Sequence, residues 1–149
     1  MGSIVPLHLI KLCVGCDSVG ELEAWIRTRL KDRRKRGLSR EHMHRTRMVP
    51  KRADELLDGG SLYWVIRGEV MCRQRLTDIR PFVDKEGVGR CHLVLEPKLT
   101  LVEPRPWRAF QGWRYIETKD VPRDLDRAAP GLRNMPEALR RELRELGLL

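Results

Sequence analysis

Leu62-Tyr-Trp-Val-Ile66 and, after Arg67-Gly68, Glu69-Val-Met-Cys-Arg-Gln-Arg-Leu-Thr-Asp-Ile-Arg80 carry the strongest extended signature in this chain. The first run is apolar throughout, as in a strand buried on both faces. Gly68 is expected to break or bulge it. The second run alternates. Val70, Cys72, Gln74 and Leu76 share one face, and Met71, Arg73, Arg75, Thr77 and Ile79 share the other. Residues 84–89 read as a turn, and residues 90–96 alternate again with Cys91, Leu93 and Leu95 on one side. Residues 99–102 and 113–116 read as further strands. Consecutive strands with gaps of hairpin length argue for antiparallel pairing.

Upstream, residues 7–13 read as a first strand. Asp17 or Ser18 then caps a helix in which Val19, Leu22, Ile26 and Leu30 fall on one face, ending near Gly37. Residues 38–48 read as a polar loop ending in a short strand. Pro50 opens a short helix through Leu57, closed by Asp58-Gly59-Gly60. Residues 117–133 read as a surface connection, and Asn134-Met-Pro-Glu137 as the start of a last helix. The fold class that follows is α+β, with a small, mostly antiparallel β-barrel or strongly curved sheet flanked by helices. The 149 residues form one domain, 1–149. Closure into a barrel would remove the exposed sheet edges.

The charge is unevenly placed. Residues 27–52 hold 12 Lys and Arg against Asp32 and Glu41, a formal +10, whereas the whole chain carries +9. The rest of the chain is therefore near neutral. A local excess beside a neutral body is the footprint of a surface for polyanions. Cations in the last turn of a helix suit its dipole, but this accounts for two or three of the run Lys31-Asp-Arg-Arg-Lys-Arg36 and not for five. No apolar run is long enough for a membrane span. The start, Met1-Gly-Ser-Ile-Val-Pro6, lacks a basic segment and a cleavage site, so a cytoplasmic protein is expected.

Five constellations are candidates for chemistry. Cys13-Val-Gly-Cys16 lies between a strand and a helix and reads as two buried apolar side chains, as a redox pair or as half of a metal site. Cys91-His92 would complete a zinc site only if adjacent strand residues faced the same way, and they do not. No metal and no cofactor are expected, and the four cysteines are expected to be reduced. His42-Met-His-Arg-Thr-Arg47 reads as a solvated basic loop, with a ligand or acid–base role as the alternative. Pro104-Arg-Pro-Trp-Arg-Ala-Phe-Gln-Gly-Trp-Arg-Tyr115 interleaves aromatic rings with arginines, a pattern suited to base stacking and phosphate contact. Within it, Phe110 and Trp113 are expected as a core pair and Trp107 as the exposed ring. Arg73 and Arg75 would extend a phosphate track if their face met solvent.

Arg47-Met-Val-Pro-Lys-Arg-Ala-Asp-Glu-Leu-Leu-Asp-Gly-Gly-Ser-Leu-Tyr-Trp-Val-Ile-Arg-Gly68 resembles the signature of an alphaproteobacterial family, domain of unknown function family 1489. Residues 9–15 and 105–115 fit the same pattern. The resemblance implies a small cytoplasmic bacterial protein and supplies no activity. In layout, the short helix ending in Gly-Gly and the strand pair after it are similar to PUA-like and ASCH-type domains, small barrels many of which bind RNA or modified bases. The ASCH motif itself is replaced here by Gly59-Gly-Ser-Leu-Tyr-Trp-Val-Ile66.

The expected function is nucleic-acid binding, with RNA as the partner. Arg33, Arg34, Lys35, Arg36, Arg45, Arg47, Lys51 and Arg52 form a basic arm, joined by Arg73, Arg75, Arg105 and Arg108, and Trp107 stacks a base. One alternative is an enzyme acting on a nucleotide or modified base in a barrel mouth, with Tyr63, Asp78 and His92 as candidates. Another is an interaction module for an acidic protein partner. No membrane partner is expected.

Overall fold

The computed structural model describes residues 5–125. Its elements in chain order are β1 (Leu7–Leu12), α1 (Val19–Lys35), β2 (His42–Thr46), α2 (Ala53–Leu57), β3 (Ser61–Ile66), β4 (Glu69–Val83), β5 (Gly89–Leu95), β6 (Thr100–Pro106) and β7 (Trp113–Glu117), followed by a 3-10 turn over Thr118–Asp120. The described residues are thus mostly β with two helices, an α+β arrangement. The helix expected from Asn134 lies outside the described residues.

The fold is built around β3 and β4. Every residue of β3 is buried. Arg67 and Gly68, at φ 50° and 78°, form a tight left-handed turn that reverses the chain straight into β4, so Gly68 closes a hairpin and does not interrupt a strand. β4 is 15 residues long and collects several partners. β3 pairs with its first half, β6 pairs with the same half, and β5 pairs with residues 76–83. β1 is inserted between β3 and β7, parallel to β3 and antiparallel to β7. The sheet is mostly antiparallel, as expected, and the β1–β3 pair is its parallel exception. It arises because two helices and β2 intervene between β1 and β3 and carry the chain back to the starting end.

The strand path β2-β5-β4-β3-β1-β7 has two ends and does not close by strand pairing, so the sheet is not a closed barrel. It is nevertheless curled. β2 and β3 are three strand spacings apart along the sheet, roughly 14 Å if it were flat. Yet the His44 ring of β2 meets the Trp64 ring of β3 edge-on, with centroids 5.0 Å apart. Register shifts at Trp64/Val65, Val70/Cys72 and Leu76/Asp78 supply bends of the kind bulges introduce. The side chains at the two ends also touch. Trp113 Nε1 donates to the Met48 carbonyl at 2.9 Å, and the Arg52 backbone N–H donates to the Tyr115 hydroxyl at 3.1 Å.

The concave face holds Leu9, Leu62, Trp64, Leu76, Leu93 and Leu95, packed with Leu22 and Ile26 of α1 and Leu56 of α2. The convex face holds Ile10, Tyr63, Val65, Val70, Val102 and Ile116, covered in part by Trp107 and Phe110. Phe110 and Trp113 therefore serve opposite faces and are not a core pair. Ser18 caps α1 by accepting the Glu21 N–H at 3.1 Å, and Glu21 in return accepts the Asp17 N–H at 2.9 Å.

The short strand expected at the end of residues 38–48 spans His42–Thr46, and its inward side is not solvated, because the inward positions of the alternation fill the curl. His42 is 1% exposed and joins a buried chain of amide and imidazole contacts. Trp64 Nε1 donates to Gln74 Oε1 at 2.9 Å. Gln74 Nε2 donates to the Glu96 carbonyl at 2.8 Å and lies 3.2 Å from His42 Nδ1. Burial, with Arg29 adding to it, holds His42 at about 4, and burial together with Lys11 holds His44 at about 3. On the convex face, His8 accepts the Ser61 N–H and contacts Thr118 Oγ1 at 2.9 Å. Burial keeps it at about 4.

Two expectations follow. Gly60 sits where a Cβ would overlap the carbonyl oxygens of Leu7 and Leu56. Gly60→Ala should therefore cost about 3 kcal/mol or more, or abolish folding, while Gly20→Ala, whose nearest neighbour would be Ser18 Oγ at 3.7 Å, should be neutral or slightly stabilising in urea denaturation. The three depressed histidines make the unfolded chain bind more protons than the folded one below pH 6.5, so stability is complete above that value and falls toward pH 4. His42 and His44 should each cost about 2 kcal/mol by pH 5. The check is the thermal midpoint between pH 7.5 and 4.5, where a flat profile would contradict the burial of neutral imidazoles.

Candidate nucleic-acid interface

The strand geometry of β2 puts its two kinds of side chain on opposite sides. His42, His44 and Thr46 alternate with Met43 and Arg45, and Arg47 follows in the outward phase. Arg45 is exposed, while Thr46 is 7% exposed. The arginines therefore emerge where the end of β2 faces the start of β7 across the open side of the sheet.

A cleft of about 790 Å³ lies in that seam. Its lining includes Lys11 from β1, Arg45 and Arg47 at the end of β2, Arg90 from β5 and Arg114 from β7, with Met48 and Trp113 as apolar wall. Five cations converge from four strands, and among the described residues no carboxylate lines the cleft. Asp84, at the β4–β5 turn, stands beside two of them. Its Oδ1 accepts the N–H groups of Glu86 and Val88 at 2.9 Å each. Its Oδ2 accepts Arg90 Nε at 2.6 Å and lies 3.6 Å from Arg45 Nη2. The Arg90 bond, reinforced by the Val88 N–H, holds Asp84 at about 2. One carboxylate thus orients two of the cleft arginines. The Arg114 guanidinium stands 5.1 Å above the Phe110 ring, which orients a third.

Lys11 is placed at the inner wall by its position in the strand. It follows Leu7 and Leu9 on the inward alternation of β1 and pairs with Trp64 and Trp113 in the register. It is half-buried, burial lowers the pKa of its ammonium, and among the described residues it makes no ion pair.

A second basic groove, of about 510 Å³, lies at the other end of β2. Arg27, Lys31, Arg34 and Arg40 line it with Leu30 and Leu38, where the last turns of α1 meet the turn into β2. The two basic regions flank one strand.

The residues named from sequence divide on this geometry. Arg45 and Arg47 line the cleft, and Arg34 lines the second groove. Lys35, Lys51, Arg75 and Arg108 are exposed, and Arg36 is paired with Asp32 at 3.4 Å. Arg33 is used internally. It donates to the Ser39 carbonyl at 2.9 Å and to Ser39 Oγ at 3.2 Å, pinning the exit from α1. Arg52 is held by Glu55 at 2.8 Å, and Arg105 donates to the Asp120 carbonyl at 2.7 Å. Arg73 makes a two-pronged bond to Asp124 at 2.9 and 2.8 Å and a third to Ser61 Oγ, so it ties the chain after β7 to the sheet. Trp107, expected as an exposed ring, packs partly against the convex-face cluster. Arg114 belongs to the Arg/aromatic stretch of residues 104–115, whereas Lys11 and Arg90 are not among the residues named from sequence. A lone lysine on the inward phase of an apolar strand was the legible signal for Lys11.

The remaining sequence candidates do not form a catalytic group. Tyr63 lies in the convex-face cluster beside His8, with ring centroids 5.2 Å apart. Asp78 is bound by Arg80 at 2.7 Å, and His92 stacks on Phe82 at 4.2 Å. Cys91 is buried in the concave core on the opposite side of β5 from His92. Burial, followed by its hydrogen bond with Cys16, pushes the Cys13 thiol well up, the reverse of what a redox thiolate needs. Helix α1, capped by Ser18 as expected, begins at Val19, beyond Cys16. Among the described residues no group of three or more His, Cys, Asp or Glu can hold a metal ion, and no helix is long and apolar enough to cross a membrane.

Neither the curated proteins nor the solved structures contain a match to this chain. A family model, described as "Protein of unknown function (DUF1489)", matches residues 9–149, and with nearly its whole length covered the chain belongs to that family.

Proposed function

We propose that the protein binds single-stranded RNA in the bacterial cytoplasm, and that the strand's phosphates follow β2 from the groove at Arg34 and Arg40 to the cleft at Arg45, Arg47, Lys11, Arg90 and Arg114. The observation that carries this reading is the convergence of five cations on a cleft with no carboxylate in its lining among the described residues. Asp84 pairs with Arg45 and Arg90, but Lys11, Arg47 and Arg114 have no carboxylate partner among the described residues, unlike Arg33, Arg52 and Arg73 elsewhere in the molecule. From residue 40 to residue 47 an extended chain covers roughly 23 Å, enough for several phosphates of a strand.

The recess favours a single strand over a duplex. Its volume suits one or two nucleotide units, and its wall offers the Trp113 ring and the Arg114 guanidinium to bases that are free of pairing. A curled sheet with a basic mouth is also the layout expected of PUA-like domains, and this supports RNA over other polyanions. Base contacts would come from the cleft wall. Phosphate contacts would come from the arginines, and these bind all sequences alike.

The test is fluorescence anisotropy with a single-stranded RNA between 50 and 300 mM salt. Seven phosphate contacts, one for each named cation of the track, predict a slope of log K against log salt of about −4.9. Arg47→Gln and Arg114→Gln should each weaken binding by about tenfold and flatten the slope by about 0.7. Arg73→Gln should lower the thermal midpoint with no change of slope, since Arg73 is bound to Asp124. RNA-free protein from cells together with salt-insensitive or undetectable binding would end this reading.

A further inference from the structure

We propose that the seam cleft is built for a phosphate monoester, the doubly charged end group of a nucleotide chain, with Lys11 as its contact at the inner wall. This rests on the RNA-binding reading and narrows it from a track for internal phosphates to a site for a strand end.

The first argument is charge density. An internal phosphodiester carries one negative charge, so a strand passing over a surface needs about one cation per phosphate. The cleft gathers five cations within about 790 Å³. Asp84 offsets part of the charge of Arg45 and Arg90. Lys11, Arg47 and Arg114 make no ion pair among the described residues. Three unpaired cations at one place match a group with nearly two negative charges and three acceptor oxygens better than they match a diester.

The second argument is the position of Lys11. Surface lysines keep the ammonium in water and lay only their stems on the protein. Lys11 instead stands on the inward phase of β1, after Leu7 and Leu9, with Trp64 and Trp113 as its neighbours in the register. A half-buried ammonium without a carboxylate is unfavourable unless an anion completes its surroundings. His44, held neutral by burial with Lys11 adding to it, supplies no negative charge that could balance the ammonium. The apolar wall of Met48 and Trp113, fixed by the bond from Trp113 Nε1 to the Met48 carbonyl, leaves the sugar and base a surface to lie on while the end group reaches Lys11.

The experiment compares one short single-stranded RNA made with a 5′-phosphate, a 3′-phosphate or hydroxyl ends, by anisotropy at fixed salt, with adenosine monophosphate and inorganic phosphate as competitors. One phosphorylated end should bind about tenfold tighter than the hydroxyl-ended strand, the gain of one added charge-assisted contact set. That preference should shrink below about pH 6, where the monoester takes up a proton. Lys11→Gln should reduce the preference to about twofold or less, and Arg114→Gln, at an exposed position that cannot disturb the core, should reduce it as well. Arg40→Gln, in the other groove, should weaken all three strands by one common factor and leave the preference intact. Equal, salt-dependent binding of all three strands overturns the end-group site and leaves RNA binding standing. Lys11-dependent binding of the monophosphate with no RNA binding supports the monoester site, assigns it to a free nucleotide and overturns the RNA reading. Binding of none of these probes overturns both.

Discussion

The Gln74 side-chain amide is the contact on which the arrangement depends. It accepts from the Trp64 indole of β3, donates to the carbonyl of Glu96 just beyond β5, and meets the His42 imidazole of β2. Every one of these groups is buried or backbone, and a buried amide left unpaired costs more than its hydrogen bonds return when made. The amide is satisfied only if β2 folds in over the concave face far enough to bring His42 to it. That requirement fixes the curl of the sheet, which in turn brings the end of β2 opposite the start of β7.

The curl has an electrostatic consequence. A strand whose inward side chains fill a core presents its outward ones in a row. The inward histidines of β2 are neutral at pH 7 because burial disfavours their charged form. The outward arginines stay charged in water. The two phases of one five-residue strand therefore separate a neutral polar interior from a cationic rim. Asp84 then keeps two arginines from splaying into solvent without lining the cleft itself. Arginines elsewhere are consumed in holding the fold together, as Arg33 holds the exit of α1 and Arg73 holds Asp124. A count of basic residues thus overstates the uncompensated positive surface, and the uncommitted ones mark it.

Much of the secondary structure was legible because its causes are local. The apolar run of β3, the alternation of β4 and β5, the Ser18 cap and the core face of α1 all follow from neighbours a few residues apart. The errors have the opposite character. His42 and His44 read as solvated because nothing nearby in sequence announces Trp64 and Gln74, which lie some 20 to 30 positions downstream. Phe110 and Trp113 read as partners because three residues separate them, but the chain enters β7 between them and sends their rings to opposite faces. Trp107 read as exposed because its cover, the convex-face cluster, is assembled from β1, β3, β4, β6 and β7.

By itself the sequence determined where strands and helices form, that the positive charge lies in one stretch beside a near-neutral body, and that the chain matches its family over almost all its length. Those are properties of local spacing and composition. The tertiary structure decided that the sheet stays open, that Arg45 and Arg47 meet Lys11, Arg90 and Arg114 in one cleft, and that Arg33, Arg52 and Arg73 turn inward to partners of their own. The physical reason is that strand pairing joins residues distant in the chain. Which cations converge and which are neutralised depends on that pairing, and no window of sequence contains it.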